Sequence, residues 1–319
     1  MRKPRLPIRQ KIRKSGPFDL SALRGETPGF AHLVANAIEQ LKELPDLSDA
    51  KSVAIMTDFG GEHPGARFNT YGFLILAFDK VKPFELAVQE LRRKHKILEP
   101  FSEFRYKRLA SGPRSRALPD FLRAVDGLIH GAVVTIAVEK QIESLFGGAA
   151  RIEETLSGMG LGRWKKGAGE KVLRVCHSLA IFISLLTRTD QPLFWYCDND
   201  AINETSLGRG FPDTQKILGG ALGMYSEERS AVMGFGKSFE RKSYLDDLLS
   251  VPDFAAGVVQ DLLAGHETGG NIAGGDEKTQ VIKWMAAESE FLSKITIQIM
   301  RRTDGEFVSG KVDFYPVAE

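Results

Sequence analysis

Short apolar runs of strand length alternate along this chain with longer stretches of helical period. Residues 53–56 (Val-Ala-Ile-Met) and 71–78 are continuous apolar runs parted by Gly60, Gly61, Pro64 and Gly65, which predicts an antiparallel hairpin of buried strands. Residues 132–138 and 193–197 predict two further buried strands, and 231–235 a shorter one. Residues 103–109 alternate charged and apolar positions, which predicts a half-buried strand. Near the end, 291–300 and 306–315 flank Thr303-Asp304-Gly305, a hairpin turn signal. Helices are predicted over 30–44, 83–95, 118–130, 170–186, 212–224, 252–263 and 277–289. The second carries Pro at its opening and basic residues at its end, as helix-end electrostatics favours. Strands come first, then helices mixed with strands, so the expected fold is α/β, a mixed sheet flanked by helices with a C-terminal β-hairpin addition.

The predicted layout is a basic flexible arm over 1–15, a helical leader over 16–50 and a core over 51–265. The core carries a helical insertion at about 147–190, which opens with a glycine-rich stretch over 147–169. A glycine-rich loop, a helix and the hairpin follow over 266–319. With 319 residues, 43% of them hydrophobic, the chain is long enough for one large core. No apolar run reaches the roughly 18 residues of a membrane helix, and the basic start lacks the apolar stretch of a secretory signal. Two cysteines, Cys176 and Cys197, make no disulfide framework, so a reducing cytoplasm is the expected location. Cys197 lies inside an apolar strand and reads as an inert core thiol.

Charge changes the picture at one end. Arg2, Lys3, Arg5, Arg9, Lys11, Arg13 and Lys14 form a run of seven cations without an acid. Removing those seven from 43 basic residues leaves 36 against 41 acidic ones, a body at −5 behind a basic arm. Such arms either attract phosphate backbones or serve as solubilising tails.

Three aspartates stand where these elements begin or end: Asp58 after the first core strand, Asp198 after 193–197, and Asp253 in Pro252-Asp-Phe-Ala-Ala-Gly257. Carboxylates that end neighbouring strands converge at one sheet edge, and the hard cations Mg²⁺ or Mn²⁺ relieve their repulsion. Each acid also has a plain reading. Asp58 suits a turn cap, Asp198 and Asp200 suit a polar loop, and Glu103 suits the exposed side of a strand. Ser250-Val-Pro-Asp253 has capping-box spacing. Asp58-Phe59-Gly60 is not a kinase motif, since Met56 stands at the lysine position and the two motifs abut with no His-Arg-Asp loop between them. His63 reads as a proton carrier or as a turn histidine.

The order strand acid, glutamate, strand acid, helix acid resembles the RNase H-like superfamily. Asp58-Phe-Gly-Gly61, Tyr71-Gly-Phe-Leu-Ile75 and Pro252-Asp-Phe-Ala-Ala-Gly257 are similar to the motifs of a prokaryotic family of uncharacterised RNase H-like proteins. That family carries Asp-Glu-Ser-Gly at the first motif, so Phe59 and Gly60 stand in place of Glu and Ser. The resemblance spans about residues 50–265 and implies a two-metal nuclease acting on RNA or DNA, with Mg²⁺ or Mn²⁺ held by Asp58, Glu103, Asp198 or Asp200, and Asp253. Arg105 and Lys107 share the face of Glu103 and are expected at the phosphates, with Arg9, Lys11 and Arg13 of the arm. The departure at 59 and 60 leaves an alternative, an RNase H-like module without catalysis that binds nucleic acid or a protein partner.

Overall fold

The structure is a computed structural model that describes residues 12–98, 101–110, 112–162, 164, 167–198, 200, 202, 210–226, 232–236, 243–268 and 275–315. Arg9 and Lys11 lie outside the described residues. The chain opens with β1 (Arg13–Ser15), α1 (Ser21–Arg24), α2 (Gly29–Ile38) and β2 (Leu44–Asp46). The core follows as β3 (Val53–Gly60), β4 (Phe68–Ala77), α3 (Lys82–His95), α4 (Gly112–Leu128), β5 (Gly131–Glu139), α5 (Ala149–Gly158), α6 (Ala168–Leu186), β6 (Leu193–Cys197), α7 (Phe211–Tyr225), β7 (Val232–Gly236) and α8 (Tyr244–Thr268). It closes with α9 (Asp276–Ala286), β8 (Leu292–Arg301) and β9 (Phe307–Lys311).

Among the described residues, seven strands form one mixed sheet in the order β7-β6-β3-β4-β5-β8-β9. β3, β4 and β5 run antiparallel in succession. β6 and β7 add in parallel on the β3 side, and β8 adds in parallel to β5. The C-terminal hairpin β8–β9 thus extends the sheet, as its sequence alternation anticipates, with Gly305 at φ 90° in the turn. The sheet is covered on both faces, which explains why β3 to β6 read as continuous apolar runs. One face packs on α2, α6 and α7 through residues such as Phe30, Phe73, Cys176, Phe182 and Trp195. The other packs on α3, α4, α8 and α9 through residues such as Met56, Leu74, Phe84, Phe121 and Phe254. This is the mixed α/β sheet flanked by helices that the pattern of strands and helices predicts.

Four details differ from the sequence reading. Residues 103–109 form no strand; extended backbone ends in a 3-10 turn over Tyr106–Arg108. The leader helix stops at Ile38, and 44–46 pair with 13–15 as β1–β2. A helix, α5, occupies part of the glycine-rich stretch. The last core helix does not open at Pro252 but at Tyr244, with Pro252 inside it. Part of that helix, Tyr244–His266, is long and apolar enough to cross a membrane, at a mean hydropathy of 1.2. It lies against β3, β4 and β5 and carries four aspartates.

Candidate active site

Strand alternation decides which side chains meet. β3 and β6 run parallel with Thr57 opposite Cys197, so Asp58 and Asp198, the residues that follow them along the chain, leave the sheet on the same face. That is the α8 face, where Ala54, Met56 and Tyr196 are packed. Thr57 points the other way and accepts a hydrogen bond from Trp195 Nε1 at 3.0 Å.

Asp58 pairs across the ladder with Gly72 of β4. A Cβ at Gly72 would lie 2.5 Å from the carbonyl oxygen of Pro252, so α8 rests directly on strand backbone there. This close approach delivers Asp253 beside Asp58. Ala256, Gly257 and Gln260 follow Asp253 on one helix face, at i+3, i+4 and i+7. Gly257 is equally demanding, since a Cβ there would lie 2.2 Å from the Tyr106 ring.

Residues 103–108 make the cleft wall. Phe104 stacks on Phe121 at 4.4 Å and Tyr106 is buried, so Glu103, Arg105 and Lys107 face outward. The predicted alternation therefore exists without a partner strand. Where a strand would supply a carbonyl, the Tyr106 backbone N–H donates to Asp253 Oδ2 at 2.7 Å. Arg92 Nη1 donates to the Ser102 carbonyl at 3.1 Å and Arg114 Nη1 to the Glu103 carbonyl at 3.1 Å, which fixes the segment further.

The result is a cleft of about 280 Å³ with Asp58, Asp198 and Asp253 at its floor and Glu103, Arg105 and Lys107 on its wall. Withdrawal from water pushes Asp58 well above the ordinary carboxylate range, and the charges of Asp253 and Asp198 push the same way. Burial also raises Asp253, against the Tyr106 N–H and Arg105, which lower it. Asp58 and Asp253 stand within hydrogen-bond reach of each other, so the two titrate as a pair. Asp198 faces Arg105, whose Nη2 stands 3.9 Å from its Oδ2, while Arg105 Nε holds Glu103 Oε2 at 2.8 Å.

The plain readings of two acids fail. Asp253 lies well inside α8, so it caps no helix. The capping box belongs to Ser243 and Asp246, where the Ser243 N–H donates to Asp246 Oδ2 at 2.8 Å. Asp58 sits within β3, not in a turn. Asp200, the alternative to Asp198, stands apart from the cleft: Lys171 donates to its carboxylate, and the Ile202 N–H to its Oδ1 at 3.1 Å. Lys171 also holds Glu62 at 2.6 Å. Arg13 lies 3.9 Å from Asp46 across the β1–β2 pair. His63 accepts the Gly65 N–H at 2.9 Å, a turn role. Both cysteines are buried, and burial pushes the Cys176 thiol up.

Sequence reasoning missed Asp246, which is buried, lines the cleft and accepts a hydrogen bond from the Tyr196 hydroxyl at 3.3 Å. Its signal is the spacing Ser243-Tyr-Leu-Asp246. Gln260, two helical turns beyond Asp253, also lines the cleft and went unremarked.

As arranged, no three His, Cys, Asp or Glu groups among the described residues form a set able to hold a metal ion. The donor chemistry nonetheless suits a hard cation. Two aspartates close enough to hydrogen-bond to each other, with a third whose charge repels both, are the oxygen donors that Mg²⁺ or Mn²⁺ takes.

No family model matches the sequence, and no curated protein does. Among solved structures, the ribonuclease H2 from Pyrococcus horikoshii OT3 aligns with a TM-score of 0.35 at 13% identity, over 73% of this chain and 85% of that one. A likeness at that level says nothing about what this chain does.

Proposed function

We propose that this protein is a metal-dependent phosphodiester hydrolase acting on nucleic acid. The observation that carries the reading is the meeting of Asp58, Asp198 and Asp253 on the floor of one cleft under a cationic wall. Asp58 and Asp253, joined by Asp198, are the residues that would hold Mg²⁺ or Mn²⁺. Such ions supply an activated water and charge neutralisation at a leaving oxygen. The chain's own part is to hold the three carboxylates on rigid elements and to set phosphate binders beside them. Residues 103–116 contain Arg105, Lys107, Arg108, Arg114 and Arg116 against one acid, Glu103. Arg105, Lys107 and Arg108 line the cleft, a wall suited to a polyanion.

Phe59, where the family this chain resembles carries Glu, directs its ring away from the three carboxylates. Phe59 packs on Tyr71 at 6.0 Å between ring centres and carries Lys171 over its ring, on the side of the sheet away from Asp58. The lack of a closed ligand set among the described residues favours a second reading, a nucleic-acid-binding module without chemistry. A cleavage assay on labelled single-stranded and duplex RNA and DNA with Mn²⁺ or Mg²⁺ separates the two. Hydrolysis by the wild type, lost in folded Asp58→Asn and Asp253→Asn, supports the enzyme. Binding without hydrolysis on every substrate supports the module.

A further inference from the structure

Arg105 stands among three carboxylates, and its two contacts differ in grip. It holds Glu103 at 2.8 Å and reaches Asp198 only at 3.9 Å, while its charge also bears on Asp253. The segment beneath it is anchored by Arg92, Arg114 and the Tyr106–Asp253 hydrogen bond. Its side chain, 45% exposed, is the part with room to move. The Asp198 carboxylate is thus already facing a positive charge, one supplied by the chain itself.

We infer that Arg105 is a displaceable counter-cation: it holds Asp198 when the cleft is empty, yields it to a divalent cation, and then places its guanidinium on a substrate phosphate. The inference rests on the nuclease reading. It fits the geometry, in which Asp58, Asp198 and Asp253 line one cleft and Asp198 also faces Arg105. A guanidinium suits both roles, because its planar fork matches a carboxylate and a phosphate alike, which an ammonium does not. Arg105 is a positioning and binding residue here. The Asp58–Asp253 pair sits deeper, held by the Phe59 and Tyr106 N–H groups, and needs no movement of the wall.

The test is calorimetric Mn²⁺ titration of the full chain at pH 7.5, for wild type, Arg105→Ala, Arg105→Gln and Arg105→Lys, with thermal melts to show folding. It is paired with binding of labelled single-stranded RNA and DNA oligonucleotides in Ca²⁺. Removing the competing charge should tighten Mn²⁺ binding about three- to fivefold in the Ala and Gln variants, the worth of a partly exposed ion pair. The same variants should bind both oligonucleotides several-fold more weakly. Lys should leave Mn²⁺ affinity near that of the wild type while oligonucleotide binding still falls. Unchanged or weaker Mn²⁺ binding in folded Ala and Gln variants overturns the counter-cation role. Tighter Mn²⁺ with unchanged oligonucleotide binding overturns the hand-over to phosphate. If wild type binds no Mn²⁺ at any pH, the nuclease reading itself falls, and this inference with it.

Discussion

Gly72 and Pro252 occupy one space: a Cβ on the glycine would lie 2.5 Å from the proline's carbonyl oxygen. The contact sets the height of α8 above β4 and, through it, the reach of Asp253 toward Asp58. Gly72→Ala should therefore lift the helix from the sheet. Overpacking of this kind costs about 1–3 kcal/mol, so a lower midpoint in chemical denaturation is expected, together with weaker Mn²⁺ binding. A folded Gly72→Ala variant with wild-type stability and wild-type Mn²⁺ affinity would show that the contact positions nothing.

Asp58 makes stability depend on pH in a defined direction. Its native pKa lies well above the ordinary 3.8, so the folded state keeps a proton that the unfolded chain has lost. That contribution is fully present below 3.8 and disappears as pH rises through the raised value. Asn cannot ionise. In the absence of divalent cations, Asp58→Asn should melt several degrees above the wild type at pH 8 and show little advantage at pH 4. Mn²⁺ should raise the melting temperature of the wild type but not of the variant. A variant that melts below the wild type at pH 8 would contradict a carboxylate held under repulsion at this position.

Much of this was legible in the sequence, for physical reasons. β3, β4, β5 and β6 are buried on both faces, so each is an unbroken apolar run that marks itself, and Asp58 and Asp198 stand out as the first acids at the ends of two of them. What escaped was what depends on partners distant in sequence. Period-two alternation over 103–109 is real, yet the hydrogen-bond partner of Tyr106 is the Asp253 side chain, 147 residues away, and no strand edge stands beside it. Pro252 resembles a helix start, but the chain enters the helix two turns earlier at Ser243, whose capping box with Asp246 carries the same spacing as the false one at Ser250. Asp198 and Asp200 are indistinguishable by position. Lys171, reaching over from α6, takes Asp200 away from the cleft.

Arg92 links the core to the cleft wall. Its guanidinium pairs with Asp247, and both side chains are only 1% exposed. The contact includes Nε to Oδ2 at 3.0 Å, and Nη1 also holds the carbonyls of Ile97 and Ser102. Burial pushes Asp247 up to about 6 even with this partner present. Arg92→Met strands a buried carboxyl group and should cost about 3–5 kcal/mol. The cost should grow from pH 5 to pH 8, because a carboxyl with a raised native pKa loses its contribution as pH rises. Adding Asp247→Leu removes the stranded group and should recover most of the loss. Denaturation of the single and double variants at both pH values checks this, and a double variant no better than Arg92→Met would place the loss in the 97–102 segment instead.

Lys107 faces the solvent on the cleft wall, where its charge also acts on Glu62. If the wall meets a nucleic-acid backbone, Lys107 contributes one phosphate contact and no base reading. Lys107→Ala should then weaken binding of RNA and DNA oligonucleotides by a similar factor whatever their sequence. It should also reduce the slope of log affinity against log salt by about 1. The folded state should not suffer, since exposed lysines contribute little to stability. A small-molecule phosphodiester such as bis-p-nitrophenyl phosphate has no neighbouring phosphates to reach the wall, so its hydrolysis should be nearly unchanged. Equal losses on the small ester and on the oligonucleotides would assign Lys107 to the reacting centre, and an unchanged salt slope would remove it from the binding path.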